Sequence, residues 1–146
     1  MHITKKPSPS VYTSLMSIKL LSVFAISLGA SIGALTRWQL SEHLNHRLAH
    51  FPLGTLAANW VGAYLIGLAV AYFSDNPKLS EEWRLFLVTG LLGGLTTFSA
   101  FSAEVTQLIQ EGRWMWVITE ILTHVGGSIV LTVLGIATYS LMRQLS

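Results

Sequence analysis

The chain contains no cysteine, which excludes disulfide staples, zinc–thiolate centres and cysteine nucleophiles. Charge is scarce as well. Only 11% of the 146 residues are Asp, Glu, Lys or Arg, against about 25% in soluble domains. A soluble fold would need a core with almost no polar surface around it, which a chain this short cannot build. The net charge of +2 is small and the basic residues are scattered, so no nucleic-acid partner is expected. What remains is apolar: 51% of the residues are hydrophobic, in one domain's length of chain.

That apolar content falls into four runs. Residues 1–17 are polar, with Lys5, Lys6, Pro7 and Pro9, and read as a disordered tail. Residues 18–146 read as a single four-helix transmembrane domain. The first run, Ile18 to Thr36, ends at Arg37. It is too long for a signal peptide, and no small-residue cleavage site precedes a polar mature region. It carries Gly29-x-x-x-Gly33 and Ala30-x-x-x-Ala34, a spacing that lets membrane helices approach closely. The polar connection Ser41 to His50 holds His43, His46 and His50 at irregular spacing with no acid or cysteine to complete a set, so it reads as a solvated loop.

The second run, Leu53 to Phe73, is long enough to span the hydrocarbon and starts behind Pro52. Thr55, Asn59 and Gly62 form one small, polar stripe along it, which must face protein or water. The fourth run continues from Trp114 to about Met142. Its Glu120, His124, Ser128 and Thr132 recur at every fourth residue. That series reads either as a wet face or as helix–helix hydrogen bonding.

The third run, Trp83 to about Gln110, would rise about 40 Å as one straight helix, against a hydrocarbon core of about 30 Å. Its centre, Gly90 to Ser102, is built from residues that spoil a helix: glycines at 90, 93 and 94, then Thr96 and Thr97. A central break is therefore expected. Irregular backbone in a membrane must be satisfied by protein, water or ions. The break is thus either a packing joint between helices or an ion site, and the flanking Phe98 and Phe101 favour a site.

Four spans put both termini on one side. Six Lys or Arg lie on that side and three on the other; without the two tail lysines the difference is four against three. So weak a bias specifies orientation poorly, and a chain that inserts both ways can build an antiparallel pair. Four short helices leave little room for an internal pathway, which also favours an oligomer. No carboxylate is placed as a proton carrier in the interiors of the first three spans, so a passive pathway is expected rather than an antiporter.

Three ordered motifs resemble the CrcB/Fluc family of small bacterial fluoride channels. They are Gly33-Ala34-x-x-Arg37, Gly54-Thr55-Leu56-x-x-Asn59-x-x-Gly62, and Gly93-Gly94-Leu95-Thr96-Thr97-Phe98-Ser99-x-Phe101-Ser102-x-Glu104. The resemblance runs from roughly Leu20 to Met142, and the third motif is its most specific part. One departure is Ala100, where the family often has threonine. The resemblance implies a dual-topology antiparallel homodimer with two pores in the bacterial inner membrane, which exports fluoride that entered as the neutral acid. It implies a structural sodium ion at the dimer centre, held by backbone carbonyls that match Gly93 and Thr96. It also implies a fluoride pathway with Asn59 as an amide donor and Phe98 and Phe101 presenting positive ring edges. Ser128 and Thr132 would be its hydroxyl donors, His124 a weaker candidate, and Arg37 the attractor at the mouth.

Other readings fit less well. A small multidrug-resistance-type dual-topology transporter shares the four short helices. It needs an acid buried in the first span, and none stands between Ile18 and Thr36. An intramembrane serine protease could draw on Ser99 or Ser102 with His124, yet no Gly-x-Ser-x-Gly turn is present. A purely structural membrane subunit is the last alternative. No enzymatic activity is expected.

Overall fold

A computed structural model describes residues 9–48 and 51–145, with side chains from residue 19. Among the described residues every regular element is helical. Four of the helical stretches are long and apolar enough to cross a membrane: Lys19–Arg47, Leu53–Asp75, Glu81–Gln110 and Trp114–Gln144. The first helix runs over Pro9–Leu44. Residues 1–8 of the expected tail lie outside the described residues. The remainder of that tail is helical from Pro9, whose fixed φ suits a first helical position.

The histidine segment is helical for most of its length. His43 belongs to the first helix, and His46 to a single tight turn, Asn45–Arg47. Both are exposed; His50 lies outside the described residues. Asn45 closes the corner. Its Oδ1 accepts from the backbone N–H of Gly54 at 2.7 Å and of Thr55 at 3.3 Å. It thereby caps the second helix, Leu53–Asp75, from a distance, where Pro52 supplies no side-chain acceptor.

The first span packs chiefly on the third, and the second on the fourth. Small residues set both contacts. A Cβ on Gly94 would fall 2.6 Å from the carbonyl oxygen of Ala30, so the two backbones touch where a side chain would separate them. Gly67 meets the Thr132 backbone in the same way across the second pair. Buried Ala58, Leu92 and Leu95 fill the centre, while Phe101, Val105, Leu108 and Val117 pack near one end. Much of the large apolar surface is exposed, Phe24, Trp83 and Leu122 among it. Lipid or another protein surface suits such a surface; water does not.

The third span departs from a regular α-helix in two places. Its residues Leu85–Leu92 form widened, five-residue turns, and Gly93–Leu95 return to ordinary helix. Gly90 and Gly94 are helical and serve the contact with the first span. The extended backbone is the next pair, Thr96 (φ −81°, ψ 153°) and Thr97 (φ −150°, ψ 118°). Helix resumes over Phe98–Gln110, with the Thr97 hydroxyl accepting from the Ala100 N–H at 3.2 Å. The fourth span has its own widened turns at Leu122–Gly126, between Trp114–Ile121 and Gly127–Gln144.

Candidate functional site

Two extended residues inside a membrane span leave backbone groups to satisfy. The Asn59 side chain takes both groups of Thr97: its Oδ1 accepts from the Thr97 N–H at 2.8 Å, and its Nδ2 donates to the Thr97 carbonyl at 3.1 Å. The amide thus acts as a stand-in peptide, and the pairing fixes which end is oxygen. Arg37 Nε donates to the Gly94 carbonyl at 3.2 Å. Its guanidinium is half-buried at the interruption.

Two other carbonyls lose their helical partners there. In a continuous helix the Thr97 N–H would close onto Gly93 and the Ala100 N–H onto Thr96. The first goes to Asn59 and the second to the Thr97 hydroxyl. The diverted amides leave two hard, neutral oxygen donors, of a kind that suits a hard cation.

A groove of about 540 Å³ runs along the second, third and fourth spans at this level. Asn59, Gly93, Thr96, Phe98, Phe101, His124, Ser128 and Thr132 all line it. The structure thus brings together every site residue expected from the sequence except Arg37. Phe98 stands out into the groove, 76% exposed, whereas Phe101 is buried at 7%. Their ring centroids are 5.6 Å apart with planes tilted by 59°. Phe101 stacks on the His124 ring at 4.9 Å.

The polar lining is more engaged than its sequence pattern suggests. Asn59 Nδ2 gives its second N–H to His124 Nδ1 at 3.1 Å. Because Thr97 fixes the amide orientation, Nδ1 is the acceptor, and the neutral ring carries its proton on Nε2. The Thr132 hydroxyl donates to a backbone carbonyl, with Ala63 at 3.1 Å and Ser128 at 2.9 Å. Toward the groove it therefore presents oxygen lone pairs and not the expected proton. Ser128 is half-buried beside it.

Sequence reasoning missed one cluster outright. It placed no carboxylate as a proton carrier in the interiors of the first three spans, yet Glu104 reaches inward and accepts the Thr55 hydroxyl at 2.7 Å. Glu120, fully buried, and His124 complete a group whose ligand atoms lie within 4.8 Å of one another. The signal was present: Thr55 heads the second-span stripe, Glu120 heads the fourth-span series, and Glu104 closes the third motif. Only the helix pairing shows that the three converge.

Comparison with known proteins places the chain among relatives. Residues 24–136 match the model of the family described as CrcB-like protein, Camphor Resistance (CrcB). The chain is similar to the fluoride-specific ion channel FluC of Tolumonas auensis, 57% identical over 125 residues, which cover 86% of this chain and 98% of that protein. It is 53% identical to the protein of that name from Paraburkholderia xenovorans over 123 residues, 84% of this chain and 98% of that one. For the Pseudomonas aeruginosa protein of that name the identity is 54% over 121 residues, 83% and 95% of the two chains.

Proposed function

The chain belongs to the CrcB family, and from that membership we propose that it is a passive, fluoride-selective channel of the bacterial inner membrane that exports cytoplasmic fluoride. The observation that carries the reading is the single groove that gathers Asn59, Phe98, Phe101 and Ser128 beside an interrupted membrane helix.

A small anion entering a narrow path sheds water, and fixed dipoles must replace it. The exposed edge of Phe98 and the buried ring of Phe101 offer partial positive charge without a competing full cation. Asn59 offers the N–H that otherwise goes to His124 Nδ1, so the donor passes to fluoride while the Thr97 contacts hold the amide in place. Ser128 supplies a hydroxyl. Arg37 acts through the Gly94 carbonyl as a brace for the interruption and adds a long-range positive field.

The groove is open on the Phe98 side, which supports a homodimer with an inverted copy that closes it, in two orientations with two pores. A structural sodium ion at the dimer centre fits the Gly93 and Thr96 carbonyls, whose helical donors are diverted. When bound, it would supply the positive charge that satisfies unwound carbonyls at the contact between copies.

The test is efflux from liposomes loaded with fluoride or with chloride. Fluoride release at least about a hundredfold faster than chloride release is expected, a difference of about 2.7 kcal/mol at the barrier. Equal release of both ions, or release of neither, refutes the reading.

A further inference from the structure

Four buried side-chain atoms lack a hydrogen-bond partner among the described residues, and all belong to one cluster: Glu104 Oε2, both carboxylate oxygens of Glu120, and His124 Nε2. Glu120 is 0% exposed and His124 4%. One ligand atom from each of the three residues lies within 4.8 Å of the other two. Two ionised carboxylates so close together and so deeply buried repel each other and carry a desolvation penalty. No lysine or arginine among the described residues lines the space around them. Glu111, at the rim, is already paired with Arg113 at 2.8 Å.

A proton or a metal ion would relieve the charge, and the histidine tautomer separates the two. A metal needs a bare ring nitrogen facing it. The Thr97 backbone fixes the Asn59 amide, the amide N–H occupies Nδ1, and the ring proton therefore sits on Nε2. Nε2 is a donor here and no ligand. The inventory then closes on one proton. Glu104 Oε1 already accepts from Thr55. A proton between Glu104 Oε2 and one oxygen of Glu120 satisfies two of the orphaned atoms, and His124 Nε2–H donating to the other Glu120 oxygen satisfies the remaining two.

We infer that Glu104 and Glu120 form a carboxyl–carboxylate pair that holds one shared proton inside the membrane span and hands its orientation, through His124, to Asn59 in the groove. The pair also lines a smaller polar pocket of about 170 Å³, together with Asn45, Gln107 and Glu111. Water there supplies and receives the proton. The charged and titratable groups facing the pair are Glu111, with its Arg113, at the turn after the third span, and His124 on the fourth; the second span contributes the neutral Thr55. Resting on the fluoride reading, a consequence follows. As pH rises and the pair gives up its proton, a second negative charge appears behind His124 and slows anion passage by roughly tenfold, the effect of a unit charge at about 10 Å and an effective dielectric of about 20.

Infrared spectroscopy of the purified protein in lipid tests the pair without any flux. The parent should show the carbonyl stretch of a protonated carboxylic acid at neutral pH, shifted in D2O and missing from Glu120→Gln and Glu104→Gln. Absence of that band from the parent overturns the inference even if both variants fail to fold. So does its persistence in either variant, or its appearance only after a chelator strips a bound metal. Fluoride efflux should fall at alkaline pH in the parent and hold steady in Glu120→Gln; equal pH dependence in both overturns the link to the groove. A parent that shows the band and passes no fluoride retains the proton pair and loses the channel reading.

Discussion

Replacing Asn59 by aspartate changes one atom's chemistry and separates its two roles. The carboxylate keeps the acceptor that meets the Thr97 N–H at 2.8 Å. It loses both donors, to the Thr97 carbonyl at 3.1 Å and to His124 Nδ1 at 3.1 Å. Side-chain hydrogen bonds in membrane proteins average about 0.6 kcal/mol and reach about 1.7. A stranded carbonyl adds about 1–3 kcal/mol. The stability loss is thus about 2–6 kcal/mol, visible as earlier thermal unfolding in detergent. The flux effect is larger. A carboxylate about 5 Å from the passing anion, at an effective dielectric of about 20, opposes it by about 3 kcal/mol. That lowers fluoride efflux more than about a hundredfold. Asn59→Leu removes the same donors without the charge and should lose more stability and less flux. Efflux from Asn59→Asp proteoliposomes within about twofold of the parent, in a folded dimer, would show that fluoride does not pass Asn59 at all.

Two further outcomes test the assembly and the ring edges. A cysteine placed in the N-terminal tail and labelled from outside intact cells should react in about half of the molecules, as the weak Lys/Arg asymmetry requires; labelling near none or near all refutes the antiparallel pair. Phe98→Ile and Phe101→Ile should each cut fluoride efflux by more than about tenfold, or about 1.4 kcal/mol, with methionine better tolerated than isoleucine at both positions. Only Phe101→Ile should also lower stability, because Phe101 is buried on His124 and Phe98 is exposed. Parent-like efflux from both isoleucine variants would reduce the rings to packing.

The four spans were legible because a hydrocarbon slab imposes length and apolarity on sequence, and little else satisfies both. The groove was legible because its residues recur at helical spacing: Asn59 and Gly62 on one span, His124, Ser128 and Thr132 on another. Within the expected segment the glycines and the threonines divide the work of packing joint and break. Gly90 and Gly94 read as helix breakers, but they remain helical because the first span's Ile26 and Ala30 press against them. The extended residues are the threonines, held there by an asparagine 38 positions earlier in the chain. A propensity belongs to one residue, whereas this conformation is set by a partner on another helix. Arg37 shows the same dependence on a distant partner: its Nε donates to the Gly94 carbonyl, 57 residues on. The Glu104–Glu120 pair was hidden because its members sit on separate spans, each within a pattern of its own, and meet only through the helix pairing.

These contacts also shift the weight among the groove's donors. The resemblance implied Asn59, Ser128 and Thr132 as donors to the anion, with His124 a weaker candidate. In the structure the Thr132 hydroxyl is committed to a backbone carbonyl. His124 offers Nδ1 as an acceptor, which fluoride avoids, and its Nε2 is buried without a hydrogen-bond partner. Asn59 keeps one N–H for Thr97 and has one to exchange. Ser128 has its single hydroxyl. Two strong donors do not replace the shell of a small anion, so the remaining stabilisation must come from groups that carry positive potential without a proton to commit. The edges of Phe98 and Phe101 are the groups of that kind in the lining. Aromatic edges are weak partners in water and strong ones only where water is excluded. A groove poor in free donors would supply that condition once the proposed second copy closes it.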